Sequence, residues 1–125
     1  MLHTEERLSS DETQDMARQA CIQDCLECYS TCLETINYCL RQGGEHATPE
    51  HINILMDCAE ICRTSADFML RGSLFHAYTC DVCAEICIVC ADECAPFSAD
   101  EQMQACADIC RRCADSCEAM VEEME

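Results

Sequence analysis

The stretch CDVCAEICIVCADEC, from Cys80 to Cys94, places five cysteines at steps of three, four, three and four residues. An α-helix turns about 100° per residue, so alternating steps of three and four keep every thiol within one narrow stripe. Cys80, Cys83, Cys87, Cys90 and Cys94 therefore line a single helix face. The rhythm returns at Cys21, Cys25, Cys28 and Cys32, with Cys39 seven residues on, and at Cys106, Cys110, Cys113 and Cys117. A shorter version at Cys58 and Cys62 completes the set, so all 16 cysteines belong to four stripes. Any fold for this chain must house four rows of sulfur.

Local signals divide the chain into four helices. Ser9 and Glu12 have capping-box spacing, which starts a first helix near residue 10, and Gly43 and Gly44 stop it after about residue 41. Thr48 as N-cap and Pro49 at the first helical position start a second helix over 49–71, ended by Gly72. Ser73 is positioned to cap a third over 74–95, stopped by Pro96, and Ser98 with Glu101 forms a capping box for a fourth over 99–124. Residues Met1 to Leu8 lack periodicity and read as a flexible tail ahead of one domain, 9–125. Four helices joined by short connections predict an all-α fold, an antiparallel up-down-up-down four-helix bundle with a cysteine-lined core. Because cysteine is small, that core should be less densely filled than a leucine core, leaving space along the axis.

Other stripes accompany the thiols. In the first helix Ile22, Leu26, Tyr29, Leu33, Ile36 and Leu40 lie about 100° from the thiol face and read as helix–helix packing. The second helix turns His51, Ile54, Leu55, Cys58, Cys62, Ser65 and Met69 inward, so its apolar part reads as a hydrophobic plug. Val82, Ile86 and Val89 stand about 120° from their thiol stripe and fit either packing within one bundle or a contact between bundles. The words CAEIC (twice), CADEC, CADIC and CADSC repeat along the chain. They fit duplication of a helical unit, or a parallel demand for a small residue and an outward acid beside each thiol pair.

Cysteine above roughly a tenth of the residues ordinarily signals a secreted disulfide scaffold. The start MLHTEERLSSDETQ shows neither a basic nor an apolar signal region, so the expected location is cytoplasmic, where standing disulfides are rare. Helix neighbours at i and i+4 also hold their Cβ atoms about 5–6 Å apart, whereas a disulfide requires about 3.8 Å. A formal charge of −18 speaks against nucleic acid or an anionic membrane as partner.

Seven CxxxC pairs run through the chain: Cys21/Cys25, Cys28/Cys32, Cys58/Cys62, Cys83/Cys87, Cys90/Cys94, Cys106/Cys110 and Cys113/Cys117, with Cys39 and Cys80 outside them. Zinc sites and iron–sulfur clusters are commonly built from closely spaced, loop-borne cysteines. A soft monovalent ion that accepts two or three sulfurs suits a helical pair with further sulfurs from across the axis, and Cu(I) is the physiological candidate. Inert packing is a poor account of so many thiols, because alanine, serine or valine would fill the same sites without risk of oxidation. Antiparallel topology brings His51 and Met103 to one end with Cys39 and Cys94, and His76, Met69, Met120 and Met124 to the other. Imidazole and thioether bind Cu(I) without losing a proton, so either end is a candidate loading or release mouth. For the methionines and for His51 and His76, packing at the end of the core is the competing role. His3 and His46 read as tail and loop residues.

With these residues in view, the chain resembles the bacterial copper storage proteins over about Ser9 to Met124, on the strength of seven CxxxC pairs spread over four helices. The resemblance implies a bundle that stores many Cu(I) ions along its axis on the sixteen core cysteines, assembles as a homotetramer, and belongs to the cytosolic branch. The expected function is storage and sequestration of Cu(I) for copper homeostasis and detoxification, without enzymatic activity, with copper donor and acceptor proteins as partners. The alternatives are a zinc or cadmium thiolate buffer and, in a different class, a thiol-redox or iron–sulfur protein. Hydrolytic catalysis is disfavoured, since no Cys–His pair stands apart from the stripes.

Overall fold

The computed structural model describes residues 10–97 and 99–124, the side chains of Ser10, Glu123 and Met124 excepted. The tail Met1–Leu8 with His3, the capping residues Ser9 and Ser98, and the Met124 side chain lie outside the described residues. Four α-helices follow one another: α1 (Ser10–Gln42), α2 (Pro49–Leu70), α3 (His76–Cys94) and α4 (Glu101–Met124). Short 3-10 turns, Gly44–Ala47 and Ala95–Phe97, join α1 to α2 and follow α3.

The junctions obey local chemistry. Thr48 is extended and its hydroxyl accepts from the His51 backbone N–H at 3.3 Å, with Pro49 opening α2 as anticipated. At the far end of α2 the Gly72 N–H bonds the Met69 carbonyl at 3.1 Å and the Ser73 N–H bonds the Phe68 carbonyl at 2.9 Å. That is a Schellman closure, and it requires the positive φ of 68° that Gly72 supplies. The closure shifts the start of α3. Ser73 is committed to ending α2, and its hydroxyl accepts from the Phe75 N–H at 3.1 Å within the turn. Helix α3 therefore begins at His76, with Phe75 in the N-cap position and no side-chain cap, rather than at residue 74 under a Ser73 cap.

Each helix packs on its neighbours in sequence, and α4 closes the ring on α1, while no diagonal helix pair packs directly among the described residues. Across the α2–α4 diagonal sulfur meets sulfur: Cys58 and Cys110 approach to 3.9 Å, as do Cys62 and Cys113. The seams between adjacent helices are lined by Ala59, Ala84, Ala91, Ala107 and Ala114, each at most 4% exposed. Each of these alanines directly follows the first cysteine of a repeated word, and the acids that come next, Glu60, Glu85, Asp92, Asp108 and Asp115, are exposed. The repeated words thus record one packing requirement met several times: thiol to the axis, alanine to the seam, carboxylate to water.

Polar links tie α1 to α4. Gln102 Nε2 donates to Thr35 Oγ1 at 2.9 Å, and the same hydroxyl donates to the Thr31 carbonyl at 2.7 Å. Arg112 reaches Asp24 at 3.3 Å and Glu27 at 2.9 Å. The second stripe of α1 divides. Ile22, Tyr29 and Ile36 pack against the core, whereas Leu26, Leu33 and Leu40 remain 42–57% exposed. A stripe so far round from the thiol face lies on the flank, where only its inner half reaches a neighbouring helix. On α3, Ile86 packs inward while Val82 and Val89 stay exposed.

Candidate metal centre

All sixteen cysteines are free thiols with no exposed surface. They touch one another instead of surrounding a void: Cys21 lies 3.6 Å from Cys117, Cys25 3.6 Å from Cys113, Cys28 3.7 Å from Cys110, Cys58 3.7 Å from Cys87 and Cys62 3.7 Å from Cys83. The space expected along the axis is thus taken up by sulfur, because small side chains let the helices close in until the thiols meet.

Most of these contacts cross between helices. Five groups of cysteines hold their sulfurs within 4.8 Å of one another: Cys21, Cys80 and Cys117; Cys25, Cys83, Cys113 and Cys117; Cys28, Cys62, Cys87 and Cys113; Cys28, Cys32, Cys58 and Cys110; and Cys32, Cys90, Cys106 and Cys110. CxxxC pairs appear within some groups, always completed by sulfurs of other helices. Successive groups share corners, first Cys117, then Cys113, then Cys28, then Cys32 and Cys110. The result is a continuous chain of sulfur polyhedra along the bundle axis. A thiolate can bridge two soft monovalent ions, so shared corners suit a string of such ions better than isolated closed tetrahedra.

The thiols also share protons. Cys58 is drawn below the usual thiol range, first by an S–H from Cys110, and Cys21 first by one from Cys117. Cys110 and Cys117 are pushed up, chiefly by Cys106 and Cys113 respectively, since each holds a proton for an ionised neighbour.

The two ends differ. At one, Cys39 Sγ lies 3.5 Å from His51 Nε2 and 3.6 Å from Met103 Sδ. His51 Nδ1 faces Glu93 Oε1 at 3.2 Å, so the carboxylate accepts the ring N–H and leaves the Nε2 lone pair toward the sulfurs. Burial raises Cys39 to about 11. A cover lies over this end: Tyr38 donates to Asp100, whose other oxygen is 3.0 Å from His46 Nε2, and the Phe97 ring packs 4.3 Å from His46 and 5.3 Å from His51. The Tyr38 hydroxyl, and then His46, hold Asp100 below the usual carboxylate range. His46, a loop residue as expected, lies in the Gly44–Ala47 connection and is part of this cover. Neither Glu93 nor Asp100 was legible as part of this end, because helical angle says nothing about a turn folding over a bundle mouth.

At the opposite end Cys80 donates to Met69 Sδ at 3.8 Å. Met120 is buried there, but His76 is only partly so and points its Nδ1 at the Ser73 carbonyl, 2.8 Å away. His76 belongs to none of the close groups of donor atoms. Two stripe positions carry hydroxyls. Thr35 fills the place between Cys32 and Cys39 with its hydrogen bonds satisfied, while Ser65 follows Cys62 on α2, fully buried, its hydroxyl without a partner among the described residues.

A chain of this pattern has known counterparts. The family model described as copper storage protein matches residues 14–122. The chain belongs to the copper storage protein family. A crystal structure of the Nmul_A1745 protein from Nitrosospira multiformis is 46% identical, with a TM-score of 0.83, over 89% of this chain and 99% of that one. The Cu(I)-bound copper storage protein BsCsp3 is 33% identical, with a TM-score of 0.78, over 84% of this chain and 98% of its own. A cytosolic copper storage protein from Streptomyces lividans, described with five coppers, is 27% identical, with a TM-score of 0.77, over 88% and 96% of the two chains. The bundle is thus that of the copper storage family, and no described helix is long and apolar enough to cross a membrane.

Proposed function

We propose that this chain is a cytosolic store that takes up many Cu(I) ions on its core thiolates and returns them to copper-requiring proteins, acting by sequestration and not by catalysis. The observation that carries the reading is the chain of corner-sharing sulfur groups from Cys21, Cys80 and Cys117 to Cys32, Cys90, Cys106 and Cys110. Cys94 and Cys39 extend it toward the His51 end, where His51 and Met103 serve as neutral donors. Met69 serves likewise at the far end, and Met120 beside it contributes packing.

Charge favours a monovalent cargo. One Cu(I) that displaces one thiol proton leaves the interior neutral, whereas a zinc or cadmium ion in four thiolates leaves a net charge of −2 out of water, a costly burial. Likeness to a Streptomyces protein described as cytosolic supports that location. The exposed Leu26, Leu33 and Leu40 on α1 and Val82 and Val89 on α3 supply apolar surface for the expected homotetramer.

Anaerobic titration of the reduced protein with Cu(I), against a chromophoric chelator, tests the reading. Ten or more ions per chain bound before the chelator colours is the expected result. Saturation at one or two ions would sink it.

A further inference from the structure

The Met69 end carries a feature that the storage reading does not use. A cavity of about 270 Å³ opens between α1 and the end of α2, lined by Arg18, Gln19, Ile22, Met69, Leu70, Arg71 and Gly72. Its rim is cationic in a chain of net charge −18 whose seven basic residues are all arginine, two of them here. Arg18 is steadied by Asp15 at 3.1 Å, and the Arg71 guanidinium sits 5.0 Å from the centre of the Phe68 ring. Met69 joins this cavity to the core: it forms part of the wall, is only 2% exposed, and its sulfur receives the Cys80 thiol, a member of the first sulfur group.

The other end is less suited to receive cargo. There the cover of Tyr38, His46, Phe97 and Asp100 lies over the sulfurs. By helical register Thr35 and Leu55, both fully buried, occupy the layer behind Cys39 and His51, so two helices present no thiol between that end and the sulfur chain.

We infer that the Arg18–Arg71 cavity is a docking site for an anionic Cu(I) chelate, the complex of a low-molecular-weight thiol that bears carboxylates, and that Met69 passes its ion to Cys80. The inference rests on the storage reading and adds the mouth and the class of carrier. The arginines hold the carboxylates, and the Met69 thioether is a neutral extra ligand while sulfurs exchange. In the first exchange one bond from copper to a carrier thiolate breaks and one to Cys80 Sγ forms. The Cys80 proton leaves on the departing carrier as a free thiol, total charge is unchanged, and copper stays Cu(I). The second carrier thiolate then dissociates as the neutral thiols of Cys21 and Cys117 take its place, so one thiol proton leaves per ion seated in the first sulfur group.

Stopped-flow loading under anaerobic conditions distinguishes this from unassisted uptake, using Cu(I) supplied by mercaptosuccinate, which carries two carboxylates, or by cysteamine, which carries an ammonium. Local charge steers association by about tenfold or more at low salt. R18E/R71E should therefore load from mercaptosuccinate about tenfold more slowly at low ionic strength, with the deficit shrinking as salt rises. R18Q/R71Q should fall between it and the wild type. R41E/R63E, the same change in net charge at exposed positions away from the cavity, should lose far less, and loading from cysteamine should not slow in R18E/R71E. A deficit equal in R41E/R63E, or equal for both carriers, overturns the inference while leaving storage intact. Loss of the final copper count in wild-type protein would instead overturn the storage reading itself.

Discussion

Single residues set the character of the axis wherever they interrupt it. Ser65 is fully buried and its hydroxyl has no partner among the described residues, an arrangement that costs the apo bundle free energy. Ser65→Ala should raise its stability by about 1 kcal/mol, read from chemical unfolding, and a loss of stability would show that the hydroxyl is engaged after all. Leu55 heads the large, fully buried side chains. Leu55→Ala should cost about 2–4 kcal/mol while leaving copper uptake through the other end intact. Cys39 sets a pH limit. Its thiol titrates near 11 in the folded chain against an ordinary 9.0, so the folded state keeps a proton that the unfolded state gives up between those values. The contribution is whole below pH 9 and lost as pH rises toward 11, so the apo melting temperature should fall across that window, and less steeply in Cys39→Ala.

At the scale of helices, the unit of chemistry is the layer across the bundle rather than the CxxxC pair. Cys28 is a corner of two sulfur groups and Cys94 of none. Cys28→Ser should therefore cost more copper per chain than Cys94→Ser, and equal losses would mean that each helix binds its ions alone. The four helices, the inward thiol faces and the pairing of Cys39 with His51 and Met103 were legible in the sequence because a step of three or four residues has one meaning on a helix. Other features depend on relations between helices that no single periodicity encodes. Ser73 could not be seen to close α2 instead of capping α3, since that depends on the Gly72 turn before it. The corner-sharing order of the sulfurs depends on axial offset between helices, and the outward half of the Leu26, Leu33 and Leu40 stripe on how far each neighbour reaches.

For the molecule as a whole, an acidic shell surrounds a core that exchanges protons for a soft cation one for one. Such a core binds its cargo only when folded, so loading should raise the melting temperature progressively, and a strong Cu(I) chelator should return it to the apo value. In the proposed homotetramer this exposed stripe forms the contact, so a Leu33→Glu, Val82→Glu double variant should lower the mass seen by light scattering without lowering the copper count. The most direct test of a sulfur axis filled with copper is anomalous diffraction at the copper edge from crystals of the fully loaded protein. A row of copper peaks from the Cys21, Cys80 and Cys117 group to the Cys32, Cys90, Cys106 and Cys110 group is the predicted result. Peaks confined to the surface, or a single closed site within an otherwise metal-free core, would contradict it.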